Sequence, residues 1–364
     1  MKDFNEKLLR RLARKDGKVR FGSGEDVPEE ALAAFYEQMF PERAPFLVRH
    51  WRWLYQVGRG NAFDSPLLAI AEDRVAGHGG LINITLQRGN EQRDAIWMMD
   101  FAILPEFQRG MVGGGLVQIG SSFCPLRIAF LNERSWGMVS KMGWRTHFQT
   151  VALQLPLRPE KLPQVQSFTK RWIGMPTVSQ LSGAVIRSVY KSLTMIQPNL
   201  ERLPATADTL KPFMKDREPS ALHVPRTAEF LDWRILSHPH AGQYFVLRPA
   251  GSDECSGIFR VMNLGGYKRL HFLALQRRNK DSKTLPSFFS GVVRWALAEN
   301  IDHIVFVTSD PEIARIAARW LPIRTKQRFA FHAEDDAGWE FLGAADQRWE
   351  LIDSDFEMMF ESKG

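Results

Sequence analysis

Cysteine is almost missing. Cys124 and Cys255 are the only two among 364 residues, far apart and in unlike contexts. A disulfide framework and a cysteine-built zinc site are thereby excluded, and a reducing cytoplasm is the expected setting. No run of about 18 or more apolar residues occurs, so no membrane-crossing helix is expected. The first twenty residues, MKDFNEKLLRRLARKDGKVR, are broken throughout by charge and hold no signal-peptide core. HExxH, CxxC, GxSxG and the Walker phosphate loop are all absent, which removes the chemistries that those motifs serve. No metal is expected.

What is present describes a folded chain. Apolar residues make up 44% and charged ones 24%, and the length suggests about two domains. The net charge of +7 is unevenly placed. Residues 1–20 hold eight basic residues against three acidic ones, and residues 158–202 hold seven against two. These two surpluses exceed the total, so the remainder is slightly acidic.

Periodicity predicts two helices over 28–57, then a meander of strands at 67–72, 74–86 and 95–104. A glycine-rich turn leads into a helix over 112–123, a strand over 126–131, a helix over 132–142 and the strand GWRTHFQTVALQL from 143. The second half repeats this order. YFVLRP, GIFRVMNL and RLHFLAL form a meander, followed by a helix over 285–299, a strand over 303–308, a helix over 311–320 and closing strands. Trp53 precedes Gly77 by 24 residues, and Trp233 precedes Gly257 by the same 24. The expectation is an α+β fold of two similar domains, each a twisted, mostly antiparallel mixed sheet flanked by helices. The expected division is a basic segment over 1–20, a first domain over 21–157, a basic amphipathic linker over 158–203 and a second domain over 204–364. In the linker, Val178, Leu181, Val185, Val189, Leu193 and Ile196 recur every three or four residues and share one helix face. Such a helix either packs on a domain or lies against an anionic membrane surface, as the N-terminal segment with Phe4, Leu8, Leu9 and Leu12 also can.

The stretch from Asp100 to Trp144 carries the chemistry. A strand ending at Pro105 enters a loop with Gly110, Gly113, Gly114 and Gly115 that opens directly into a helix. Consecutive amides at such a turn hold a phosphate or pyrophosphate without a metal; the same sequence also serves a plain, tight strand-to-helix connection.

The run resembles the GNAT superfamily of acyl-CoA-dependent N-acyltransferases. Gln108-Arg109-Gly110-Met111-Val112-Gly113 stands where that family has its pyrophosphate loop, with Met111 replacing the first glycine. Asn132 and Gly143-Trp144 match the ends of a second motif, whereas Val139 occupies the place of a tyrosine acid. The resemblance implies tandem GNAT domains, the second degenerate, that transfer an acyl group from acetyl-CoA or a longer acyl-CoA to an amine. It implies cofactor contacts at Ile103, Leu104, Gln108, Arg109, Gly110, Met111, Val112, Gly113, Gly114 and Asn132, with an amide of Ile103 or Leu104 steadying the oxyanion. Asp100, His78 and His147 are the candidate catalytic residues for removing the amine proton, with Glu106 a further carboxylate just beyond Pro105. Asp353 and Asp355 are either acceptor contacts or a solvated strand end. The expected acceptor is a long-chain, sphingoid-type lipid amine or an amino sugar of an envelope precursor, met at the inner face of the membrane; nucleic acid is not an expected partner. Two alternatives stand beside this: a Fem-like transferase that takes its acyl group from aminoacyl-tRNA, and a non-catalytic acyl-CoA-binding pair.

Overall fold

The computed structural model describes residues 19–57, 65–108, 112–147, 150–161, 175–195, 198–214, 220–278, 284–320, 322–325, 328–343, 346–354 and 358. Strand β1 (Val19–Ser23) leads to helices α1 (Glu29–Met39) and α2 (Ala44–Leu54). Pro28 stands just before α1 and Glu29 and Glu30 fill its first turn, where acidic side chains favour the exposed amides. The meander follows as β2 (Leu67–Ala71), β3 (Arg74–Arg88) and β4 (Glu91–Ile103). Helix α3 (Val112–Ser122), β5 (Leu126–Leu131), helix α4 (Glu133–Val139) and β6 (Arg145–Thr146) complete the first stretch.

Beyond β7 (Val151–Pro156) and helix α5 (Met175–Thr194), the order returns as β8 (Leu200–Pro204), β9 (Tyr244–Pro249), β10 (Cys255–Leu264) and β11 (Tyr267–Arg277). Helix α6 (Thr284–Ala298), β12 (His303–Thr308), helix α7 (Pro311–Ala318), β13 (Ile323–Arg324), β14 (Arg328–Ala333) and helix α8 (Asp336–Leu342) close the chain. Asp310 caps α7 by accepting from the Glu312 and Ile313 amides, and Pro311 supplies its first turn.

These strands build two seven-stranded sheets of the same plan, β1-β2-β3-β4-β5-β14-β6 and β8-β9-β10-β11-β12-β7-β13. Each is antiparallel except for one parallel pair, β4 with β5 and β11 with β12. The sixth position of each sheet is filled from the other half of the chain: β14 lies between β5 and β6, and β7 between β12 and β13. The single strand expected from Gly143 is therefore two strands in different sheets. The first sheet takes β14 as partner for β6, which ends at Thr146, and the second takes β7, which begins at Val151.

One hydrophobic core joins the halves, with Tyr36, Leu54 and Trp97 packed in the same cluster as Trp233, Ile235 and Trp349. The duplicated tryptophans meet directly. Trp233 Nε1 donates to the Trp53 carbonyl at 3.1 Å, and their rings lie 6.2 Å apart.

In the linker, α5 is fixed by Tyr190, whose hydroxyl donates to the Trp320 carbonyl, and by an ion pair between Arg187 and Glu160. The apolar residues Val185, Val189 and Leu193 face outward and are about half exposed. The shared face read from the sequence is thus the solvent side of the helix along this stretch. The side chains of Val178 and Leu181, residue Ile196 and the segment 1–18 lie outside the described residues. Two strands go unread in the sequence, β1 and β8; each is an edge strand of five residues. No described helix is long and apolar enough to cross a membrane.

Candidate functional site

The site begins at an irregularity in the β3–β4 ladder. Gly77 pairs with Ile103 and His78 with Ala102, but the next pair is Gly80 with Met99, so β4 carries one extra residue opposite Gly79. Asp100 absorbs it with a φ of +52°, the left-handed region that costs a non-glycine residue about 1 kcal/mol or more. A Cβ at Gly79 would come within 2.8 Å of the Phe101 ring, which would have to move aside. The bend carries β4 away from β5. Only Ile96 with Arg127 and Trp97 with Ile128 remain paired.

Past that point the strands diverge around a cavity of about 360 Å³. Met98, Asp100 and Phe101 of β4 form one wall, and Ala129 and Leu131 of β5 the other. Ser135, Met138 and Val139 of α4, Trp144 and Val117 of α3 also line it, as do Phe40 and Arg43 from the stretch between α1 and α2.

The end of β4 lies just beyond the residues that line this cleft. The Leu104 amide donates to the Ala76 carbonyl at 2.9 Å, so it belongs to the ladder with β3 and is no oxyanion donor. Alternation along an antiparallel pair then turns the N–H and C=O of Ile103 to the side away from β3. The Ile103 carbonyl accepts there from Gln108 Nε2 at 3.0 Å, and the Gln108 amide donates to the Pro105 carbonyl. Gln108 accordingly folds the turn back on the strand. Val112 is buried at the start of α3, and a Cβ on Gly113 would lie 2.6 Å from Ile103 Cδ1, whereas Gly114 has open space. Arg109, Gly110 and Met111 lie outside the described residues. Asn132 lines the cavity and caps α4, its Oδ1 accepting from the Ser135 amide at 2.9 Å.

The three candidate bases fare differently. Asp100 is held on both oxygens: Arg43 donates to Oδ1 at 2.5 Å and to Oδ2 at 3.2 Å, and the Tyr55 hydroxyl donates to Oδ2 at 3.0 Å. Burial raises its pKa, but the Arg43 guanidinium outweighs that and leaves the carboxyl below its usual value. A carboxylate so satisfied is a weak base. His78 is fully buried beneath Phe35 and Phe40. Its Nδ1–H donates to the Asp100 carbonyl at 2.8 Å, which leaves Nε2 to accept from the Tyr36 hydroxyl at 3.2 Å. Burial pushes its pKa down to about 4, so it is neutral, and both ring nitrogens are engaged. His147 is not brought to the cleft. Its Nδ1 bonds Thr150 Oγ1 at 2.9 Å, and burial lowers its pKa. Glu106 pairs with Arg74 at the surface.

Sequence reasoning missed Arg43, Tyr55 and Ser135. One signal pointed toward the first: a single carboxylate in the apolar run AIWMMDFAIL requires a buried cation, though nothing local says which one.

The second half builds the same corner and closes it. Leu275 pairs with Gly257 as Ile103 pairs with Gly77, and a bulge again follows, between Ile258 and Phe259. Here β11 and β12 stay paired through four residues, and the corresponding space measures about 10 Å³. The Leu275 amide donates to both carboxylate oxygens of Glu350 at 3.2 Å, and Arg226 holds that carboxylate from the other side. Asp353, read as an acceptor contact or solvated strand end, is buried and accepts from the Glu350 amide at 2.8 Å. Asp355 lies outside the described residues.

No known family profile matches the chain, and no curated protein matches it in sequence. Solved structures do match its shape. N-myristoyltransferase of Saccharomyces cerevisiae, with bound myristoyl-CoA and inhibitors, superposes with a TM-score of 0.57 at 10% identity, over 86% of this chain and 80% of that one. A probable N-acyltransferase of Enterococcus faecalis V583 gives 0.55 at 7% identity, over 87% and 72%. A GCN5-related N-acetyltransferase of Kribbella flavida gives 0.52 at 12% identity, over 91% and 80%. The fold is the GNAT fold, present in two copies.

Proposed function

We propose that the chain is an acyl-CoA-dependent N-acyltransferase whose first half holds the thioester in the cleft between β4 and β5. One observation carries this reading. At the place corresponding to Ile103, the second half has an amide that binds carboxylate oxygens, while in the first half β4 and β5 part around a 360 Å³ cavity lined on β4 by Met98, Met99, Asp100 and Phe101, just ahead of Ile103. An amide that steadies a carboxylate oxygen has the geometry to steady a thioester oxyanion.

The acceptor amine approaches from the side of α1 and α2 and attacks the thioester carbonyl carbon. Its electron pair forms the C–N bond, negative charge gathers on the oxygen beside the Ile103 amide, and the C–S bond then breaks with its electrons leaving on sulfur. The nitrogen gives its proton to water, since Asp100 and His78 are both committed. Water returns a proton to the thiolate, with the Ser135 hydroxyl, on the α4 wall, as the nearby donor. Gln108, Val112, Gly113 and Gly114 flank the turn that meets the pyrophosphate.

The acceptor in this reading is an amine on a lipid or an envelope amino sugar, reached from the cytoplasmic face of a membrane. The outward apolar residues of α5 and the basic surpluses at 1–20 and 158–202 support it. Calorimetric titration with acetyl-CoA and with longer acyl-CoA tests the donor. Binding is expected, and Gly113→Trp is expected to abolish it by driving into Ile103. A wild-type chain that takes up no acyl-CoA rules the reading out.

A further inference from the structure

The two halves form an internal comparison. Their strands follow one plan and their bulges fall at corresponding places, yet one cleft is open and the other shut. The difference lies at the bulge itself. In β11 the bulged stretch is Phe272, Leu273 and Ala274, all buried and apolar, and none has left-handed backbone. In β4 it is Asp100, left-handed and charged. Its side chain is 5% exposed and that of Arg43 is 9% exposed, and both line the cavity.

Resting on the proposed function, we infer that the buried Arg43–Asp100 pair is the positioning element that holds β4 away from β5 and makes the first half the one that accepts acyl-CoA. A left-handed aspartate does not persist by preference; it persists when its surroundings over-determine it. Here every polar group of Asp100 that can act as a clamp is used. Arg43 takes both carboxylate oxygens, Tyr55 takes one of them again, and the backbone carbonyl accepts from His78, which Tyr36 fixes in turn. Arg43 stands just ahead of α2 and Tyr55 just after it, so both ends of one helix grip the bulge. Without the clamp, extended backbone is the lower-energy state, and β4 can pair with β5 for as long as β11 pairs with β12. That pairing fills the cavity.

Acetyl-CoA titration by calorimetry, with thermal unfolding in parallel, tests this on the full chain. The double variant Arg43→Met with Asp100→Leu removes both charges together. Replacing a buried ion pair by apolar groups is often nearly neutral for stability. The expected result is a melting temperature within a few degrees of wild type and affinity reduced at least tenfold. The double variant Arg43→Met with Asp100→Gly has no clamp either, but glycine takes a φ of +52° without strain. It is expected to regain most of the affinity. A pair with a merely structural role makes affinity follow melting temperature in both variants, and a general base at position 100 loses turnover while keeping affinity. Binding within twofold of wild type for the Leu double variant, or no difference between Leu and Gly, overturns the inference. Should the Leu double variant not fold, Tyr55→Phe removes one bond to Asp100 alone. Several-fold weaker binding at unchanged melting temperature is then expected, and unchanged affinity overturns it. Wild-type chain that binds no acetyl-CoA brings down the proposed function and this inference together; wild-type binding with indifferent variants brings down this inference alone.

Discussion

His78 shows how a residue chosen for chemistry turns out to serve architecture. Its pKa is pushed from 6.5 down to about 4, chiefly by burial. The unfolded chain therefore binds a proton below about pH 6.5 that the folded chain refuses until about pH 4. Stability from this residue is complete above pH 6.5 and declines as the pH falls toward 4, by about 3 kcal/mol. His303, pushed down to about 3, adds a slope of the same sign, so a difference between variants isolates His78. Urea unfolding at pH 7 and pH 4 is expected to show a loss about 3 kcal/mol smaller in His78→Gln than in wild type; parallel losses would contradict the assignment. The sequence displayed His78 and Asp100 as polar residues in apolar strands, which marked the place. It could not display their partners, because Arg43 and Tyr55 lie 57 and 45 residues from Asp100 in the chain.

At the level of elements, the helices and the two meanders were legible because their periodicity is local. Helices expected over 112–123 and 285–299 occur at Val112–Ser122 and Thr284–Ala298. The partners of β7 and β14 were not legible, since a six-residue apolar strand pairs equally well with either sheet edge and only the whole assembly decides. Helix α5 was legible in period and not in orientation. Its buried contacts come from Tyr190 and Thr194, and the apolar row Val185, Val189 and Leu193 turns outward instead. Partly exposed apolar residues in a row along a helix, in a chain with two basic surpluses, are suited to a membrane interface. Flotation with anionic vesicles is expected to carry wild-type protein upward, with neutral vesicles carrying less, and Val189→Asp with Leu193→Asp is expected to reduce the anionic fraction severalfold. Equal recovery from neutral and anionic vesicles, or no effect of the two aspartates, would remove the membrane from the account.

Across the whole molecule, duplication and exchange act together. Each half lends the other its sixth strand, Trp53 and Trp233 meet directly, and one hydrophobic cluster draws on both halves beside a further cluster under each sheet, so the halves are not independent units. Duplication need not preserve two sites. In the second half the Leu275 amide already bonds a carboxylate, supplied by a C-terminal segment tied down at three places. Glu350 is held by Arg226, Glu350 bridges to Thr308, and the Trp349 amide donates to Ser309 Oγ at 2.8 Å. An entering thioester would have to displace a buried carboxylate and leave Arg226 without it, and stranding a buried charge costs roughly 3–5 kcal/mol. The chain is therefore expected to bind a single acyl-CoA. Calorimetric stoichiometry and native mass spectrometry with acetyl-CoA should both give one per chain for wild type and none for Gly113→Trp. Two per chain, or one retained by the Gly113 variant, would mean that the second cleft opens despite Glu350.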